Sequence, residues 1–248
     1  MKILAMGGGG NGRFGKPYEV KPFDQEIINM TGKKNPNYLF IGLTQADLKV
    51  ADDYFKHMRL NFGTILDCKC DYLRETEIDN PEIVDNKFAW ADIIYVGGGN
   101  TLRLMNLLRR HKIDKKLKEA GEQGKVLCGV SAGAICWCNF GNSDSRKFTS
   151  NSTQLIKVTG LGFLNVLYCP HYDAETARQE DLKRMMKNTK GVAIAFENCT
   201  ALKVDGENYE VLKVNENAKA YKCYYKKGEY IKHELEPKGT LLDLYSKN

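Results

Sequence analysis

The sequence contains no apolar run approaching the ~18 residues that span a bilayer, and no signal peptide precedes its first apolar segment. Membrane insertion and secretion are therefore not expected. The chain reads as cytoplasmic, with reduced thiols. It also contains no C-x-x-C pair. Its eight cysteines include the C-x-C pairs Cys68/Cys70 and Cys136/Cys138, while Cys128 and Cys169 sit in the apolar runs VLCGV and VLYCP. The usual zinc and redox spacings are unmatched, and cysteine in such runs behaves as a small buried hydrophobe. A strong charge of one sign is missing as well. The 37 basic and 31 acidic residues leave +6, which permits weak attraction to acidic partners and demands none. Linkers, internal repeats and low-complexity segments are absent, so residues 1–248 are expected to form one domain. A chain of this length buries a core without disulfide or metal staples.

What is present is an alternation. Residues 2–6 (KILAM), 38–43 (YLFIGL), 64–68, 92–96 (DIIYV) and 125–130 (KVLCGV) are short apolar runs. Such unbroken runs suit strands buried on both faces. Residues 23–30, 46–62, 101–108, 113–120 and 131–138 read as helices. The rhythm predicts an α/β fold, a mostly parallel sheet sandwiched by helices. The C-terminal region differs. TALKVDGENYEVLKV folds around Asp205-Gly206, and KAYKCYYKKGEYIKHEL around Lys227-Gly228. Both are hairpin patterns and predict antiparallel strands added at one edge or end of the sheet.

Three glycine-rich stretches follow strands. Gly7-Gly-Gly9-Gly-Asn-Gly12 matches the dinucleotide fingerprint in form. That fingerprint must open directly into a helix, whereas here Arg13-Phe-Gly-Lys-Pro intervenes and no acid closes the second strand. The stretch reads instead as a loop at a strand's carboxyl end. In Gly97-Gly98-Gly99-Asn100-Thr101 the glycines allow a sharp turn or a close backbone approach, and Asn100 or Thr101 can cap the next helix. Gly129-Val-Ser131-Ala-Gly133 joins a strand to a predicted helix. A serine on such a turn projects freely, and the helix N-terminus offers unpaired N–H groups to a developing oxyanion.

A nucleophilic serine needs a base, and the chain has four histidines. His57 lies among Lys56 and Arg59 on a polar helix face, His111 in the basic run ending a helix, and His233 in the C-terminal strands. His171 follows the apolar run 166–169 and so shares a sheet edge with Ser131. Three carboxylates can stand behind it: Glu197 at the end of VAIAF, Asp173 two residues beyond His171, and Asp144 in a polar loop. A charge directly after a buried strand is costly unless paired, which favours Glu197.

GGGNT (97–101), GVSAGAICW (129–137), CPHYD (169–173) and AFENCTAL (195–202), in this order, resemble the peptidase E (aspartyl dipeptidase) and cyanophycinase family of serine peptidases. The resemblance covers residues 1–205 and implies the class I glutamine amidotransferase-like fold. It implies a Ser131 nucleophile, a His171 base, Glu197 behind it, and an oxyanion hole from the N–H groups of Gly99 and Ala132. An aspartate in the loop after the nucleophile, matched nearest by Asp144, is the family's other candidate. Peptidase E members cleave dipeptides beginning with aspartate, and cyanophycinases release β-aspartyl-arginine. Both need a cation for a substrate carboxylate. Arg178 resembles an arginine of the family's segment after the histidine, and its other reading is a helix-surface residue. Asn100 is the second candidate substrate contact.

The expected activity is thus that of a serine exopeptidase of dipeptidase type, with no metal or organic cofactor. The alternative is a cyanophycinase-like or amidotransferase-like amidase. Amidotransferases carry cysteine at the elbow and a carboxylate two residues after the histidine, so Asp173 fits and Ser131 does not. AYKCYYKKGEYIKHE interleaves aromatic and basic residues as single-strand binders do. On alternating strands, though, Tyr221, Cys223 and Tyr225 turn inward and the lysines outward. A small peptide is therefore the expected partner. Nucleic acid and membrane are not expected, and a homodimer is compatible with the sequence.

Overall fold

All but one of the apolar runs become strands, and their successive side chains feed two different cores. The computed structural model describes residues 1–174 and 176–247. Its strands are β1 Lys2–Met6, β2 Asn37–Ile41, β3 Lys69–Leu73, β4 Ile93–Val96, β5 Val126–Val130, β6 Cys138–Ser143 and β7 Ile156–Thr159. There follow β8 Leu164–Cys169, β9 Val192–Phe196, β10 Thr200–Asp205, β11 Asn208–Lys213, β12 Ala220–Lys226, β13 Glu229–Glu234 and β14 Lys238–Thr240. The helices are α1 Lys21–Thr31, α2 Leu48–Arg59, α3 Pro81–Trp90, α4 Thr101–Arg110 and α5 Ile113–Glu122. The remaining helices are α6 Ala132–Ile135, α7 Ser145–Ser150, α8 Thr176–Lys187 and α9 Leu241–Tyr245.

The strands form two sheets rather than one. The first has the order β14-β11-β10-β1-β5-β4-β2-β3, the second β13-β12-β9-β8-β6-β7. The pairs β1·β5, β5·β4, β4·β2, β2·β3, β6·β8 and β8·β9 are parallel. In β1 and β4, Ile3, Ala5, Ile94 and Val96 face a core shared with Val166, Tyr168, Ile194 and Phe196 of the second sheet. The intervening residues Leu4, Met6, Ile93 and Tyr95 face a second core under α1 and α2. Leu167, Cys169, Ala193 and Ala195 face a third core with Leu182 and Met186 of α8. The sheets are thus sandwiched with helices outside, and the Tyr168 hydroxyl donates to the Ala5 carbonyl at 3.1 Å across the shared core.

Several sequence expectations need correction. The strand expected at 64–68 is the end of a helical segment. Phe62 stacks on Tyr38 with centroids 4.0 Å apart, and the chain stays helical through Leu60–Ile65 to deliver it. The helix expected over 131–138 is the single turn α6. Beyond it the carbonyls of Cys136, Trp137 and Cys138 accept from Leu161, Leu164 and Gly162, and β6 begins. Helix α3 was not anticipated, although Asn80 caps it by accepting from Glu82 and Ile83 and Pro81 opens it. Only Val84 and Phe88 on α3 are buried, too few to show a period. The two C-terminal hairpins join different sheets. β10–β11 extends the first from β1, and β12–β13 extends the second from β9. β12 is covered on both faces, so Lys222 turns inward and its Nζ donates to the Asp243 carbonyl at 2.7 Å. No helix among the described residues is long and apolar enough to cross a membrane.

One buried acid ties the first glycine stretch to the fold. Asp24 on α1 is wholly buried and accepts from the Tyr18 hydroxyl at 2.6 Å, while Tyr18 bridges to Asn11. Burial pushes the Asp24 carboxyl from near 3.8 up to about 7, and the Tyr18 hydrogen bond offsets part of that rise. Between those values the folded state holds a proton that the unfolded state has lost. Stability from this group is therefore fully present below pH ~4 and falls as pH rises to ~7. Urea titrations across that window should show this loss in the wild type and a flatter profile in Asp24→Asn.

Candidate active site

Strand β5 stops at Val130, and α6 starts at Ala132. Between them Ser131 has φ 54° and ψ −110°, a backbone state costing about 1–3 kcal/mol for a residue with a Cβ. Hydrogen bonds hold it there. Its N–H donates to Met6 O at 3.2 Å, and its carbonyl accepts from Ala134 and Ile135 at 3.0 and 2.9 Å. A Cβ on Gly129 or Gly133 would run into the Val96 carbonyl, so both flanking glycines are needed for close packing.

The strip after β4 runs beside this turn. A Cβ on Gly98 would lie 3.5 Å from Ser131 Cβ. The Gly98 carbonyl accepts from Thr44 Oγ1 at 2.7 Å and Gln45 Nε2 at 2.9 Å. In a trans peptide N–H and C=O point oppositely, so the next N–H, that of Gly99, is turned away from Thr44 and Gln45. The Ala132 N–H belongs to the first turn of α6, where donors have no intrahelical acceptor. Asn100, expected to contact substrate, is buried instead and caps α4 by accepting from Arg103 N–H at 3.1 Å.

His171 reaches the site from the second sheet, two residues beyond β8. Its N–H donates to Gly7 O at 3.0 Å. Its ring Nδ1 lies 2.8 Å from Asn198 Oδ1, an interaction the sequence reading missed. The amide orientation follows from Asp173. That carboxylate only accepts, and it takes Asn198 N–H at 2.8 Å and Nδ2 at 3.4 Å. The Asn198 oxygen therefore faces the ring, Nδ1 carries the proton, and Nε2 is the lone-pair nitrogen.

The carboxylates stand differently from expectation. Glu197, favoured as the orienter, accepts from Lys219 N–H at 2.8 Å and from the Tyr221 hydroxyl at 3.2 Å. Asp173 reaches His171 through Asn198. Asp144 lies 3.9 Å from Arg178 Nη2. Arg178 is itself 2% exposed and donates to Asn142 O and Oδ1 at 3.3 and 3.2 Å. It buttresses the loop after β6 rather than presenting a cation to substrate.

The other histidines have separate tasks. His57 Nε2 donates to Asn11 O at 2.7 Å, His111 Nδ1 lies 2.9 Å from Asp79, and His233 meets Tyr224 edge-on. Ser131 and His171 line one cavity of about 250 Å³ together with Gly98, Gly99, Arg13 and Tyr54. A second cavity, of about 590 Å³, also touches His171 and is lined by Glu19, Asp173, Glu197 and Lys16. Arg13 and Tyr54 were not among the residues expected at the site, because the irregular segment after Gly12 gave no signal beyond its failure as a fingerprint.

A family model, "Peptidase family S51", matches residues 3–212. The chain is 31% identical over 230 residues to the uncharacterized peptidase YgaJ of Bacillus subtilis (strain 168), covering 89% of this chain and 91% of that protein. It is 27% identical over 198 residues to a peptidase E of Shewanella denitrificans, covering 75% and 79% of the two. A crystal structure of a peptidase from an acI-B1 Actinobacterium superposes with a TM-score of 0.72 over 96% of both chains at 20% identity, a likeness of fold.

The His171–Asn198 contact exists because Gly8 is bare. A Cβ there would collide with Asn198 Oδ1 and His171 Nδ1, and Gly8 has φ +150°. Gly15, also at positive φ (+70°), has open space around it. Gly8→Ala should cost at least about 1–3 kcal/mol more than Gly15→Ala. Urea denaturation of both variants reads the difference, and equal losses would contradict the packing described.

Proposed function

Because this chain belongs to peptidase family S51 and is a serine-type peptidase, we propose that it is an exopeptidase of the peptidase E type. It hydrolyses short peptides, dipeptides with N-terminal Asp foremost, through an acyl-enzyme. The observation that carries this reading is the strained Ser131 turn opening into the same cavity as His171, each at the carboxyl end of its own sheet. The Shewanella relative named peptidase E supports the peptidase E type.

In this mechanism Ser131 Oγ attacks the carbonyl carbon of the scissile peptide bond, and Nε2 of His171 takes the hydroxyl proton. The N–H groups of Gly99 and Ala132 hold the oxyanion of the tetrahedral intermediate, an interaction worth about 3–4 kcal/mol per donor at comparable sites. Collapse expels the amine, which leaves with the proton from Nε2, and an ester remains on Ser131. Water then attacks the ester and gives its proton to Nε2; the bond from the acyl carbon to Ser131 Oγ breaks, Oγ takes that proton back, and the free acid leaves. Asn198 keeps the ring in the tautomer these transfers need, with the Asp173 charge behind it.

Ser131→Ala should fold and lose turnover of Asp-X dipeptides by on the order of 10⁴-fold or more. Liquid-chromatographic detection of released aspartate, with circular dichroism as the folding control, checks this. Undiminished release would refute the acyl-enzyme route.

A further inference from the structure

Among the described residues, the cavity that holds Ser131 is lined by one side chain with a permanent charge, Arg13, and by no carboxylate. Arg13 sits in the segment between β1 and α1, and that segment is anchored on both sides. Asn11 O accepts from His57 Nε2 at 2.7 Å and from Asn61 Nδ2 at 2.9 Å, both on the helical segment after β2. Gly12 N–H donates to Pro17 O at 3.2 Å, and Arg13 N–H donates to Asn11 Oδ1 at 3.2 Å. The guanidinium lies over the buried Tyr54 ring, 3.9 Å from its centroid. The hydroxyl of the same tyrosine accepts from Gly98 N–H at 3.3 Å, on the strip beside Ser131. One aromatic ring thus fixes the cation relative to the peptide next to the nucleophile. Stacking holds an Arg plane in place while leaving its N–H edge open for hydrogen bonding.

Among the described residues Arg13 enters no ion pair. Asp53, whose carboxyl feels the Arg13 charge, is paired with Lys56 at 2.8 Å. A half-buried guanidinium without an anion, in a small cavity that also holds a nucleophile, suits a carboxylate of the substrate. The neighbouring cavity beyond His171 has the opposite character, with Glu19, Asp173 and Glu197 against Lys16. The two cavities share Gly9 and His171 and differ in the charge of their linings. An N-terminal residue with an acidic side chain carries the matching pair of charges, an α-ammonium and a side-chain carboxylate, on either side of the carbonyl to be attacked.

Building on the serine-peptidase reading above, we propose that Arg13 is the specificity residue of this site. It binds the side-chain carboxylate of the residue whose carbonyl Ser131 attacks. Arg178, the arginine expected for this task, is enclosed by Asn142 and Asp144. Arg13 takes its place from a different element, the segment between β1 and α1.

The test separates this proposal from the activity on which it rests. Binding of Asp-Leu, Asn-Leu and Asp-Leu-amide is measured by titration calorimetry to Ser131→Ala, and to the same variant also carrying Arg13→Gln. Uncleaved dipeptides report recognition whether or not the wild type turns them over. Asp-Leu should bind the Arg13 form on the order of 10–100-fold more tightly than Asn-Leu. Arg13→Gln should bring that ratio close to one, and Arg13→Lys should restore part of it. Asp-Leu-amide should behave like Asp-Leu. In the active enzyme, Arg13→Gln should lower the Asp-Leu to Asn-Leu ratio of kcat/KM by a similar factor, mainly through KM. An unchanged ratio overturns the proposal, as does equal weakening of Asp-Leu and Asn-Leu. An Arg13 effect that disappears on amidation overturns it too, since it assigns the cation to the C-terminal carboxylate. Failure of the wild type to cleave any of these peptides would refute the peptidase mechanism, while the calorimetric ratio still decides the role of Arg13.

Discussion

The active site depends on a strip of bare backbone. After β1 the chain carries four consecutive glycines, and its carbonyls are shared among segments distant in sequence. Met6 O takes the N–H of Ser131, Gly7 O that of His171, Gly8 O that of Cys199, and Gly10 O that of Val20. The nucleophile comes from the first sheet and the histidine from the second. These hydrogen bonds fix their relation more directly than the shared core does. Side chains are excluded along the strip because a Cβ on Gly7 would lie 2.5 Å from Glu197 O, and one on Gly9 2.7 Å from Val20. The run that resembled a dinucleotide fingerprint is thus a stitch between two sheets.

From that stitch the chemical order of the site follows. Ser131 is held in a backbone state that its sequence neighbours alone would not keep, so its Oγ projects from the turn. Asp173 fixes the Asn198 amide, the amide fixes the His171 tautomer, and the tautomer leaves the lone pair on Nε2. Among the described residues, a neutral amide beside the imidazole supplies its orientation. The charge stands one group further back, where it still favours the imidazolium formed during proton transfer.

Most strands of the first sheet, and the meeting of Ser131 and His171 at one cavity, were legible because they depend on local pattern. Unbroken apolar runs specify strands covered on both faces, and a serine between close-packed glycines specifies a turn. His171 was found by elimination among four histidines, with its place after β8 as the positive sign. Asn198 was not legible. Neighbouring residues at a strand end point to opposite sides, so a shift of one position exchanges Glu197 for Asn198 at the ring. Lys219 and Tyr221, which engage Glu197, lie at the start of β12, a strand whose sheet the sequence did not reveal. Arg178 failed as a ligand for a similar reason. Helical spacing says which face a residue occupies only once the neighbour covering that face is known. Arg13 sits in irregular chain, where periodicity carries no information.

The central claim is that Ser131 is the nucleophile, activated by His171. A fluorophosphonate probe followed by peptide mapping in a mass spectrometer tests it most directly. The account predicts a single adduct on Ser131, suppressed in His171→Ala. An unmodified Ser131 in a protein that still hydrolyses dipeptides, or an adduct on another residue that abolishes activity, would contradict it.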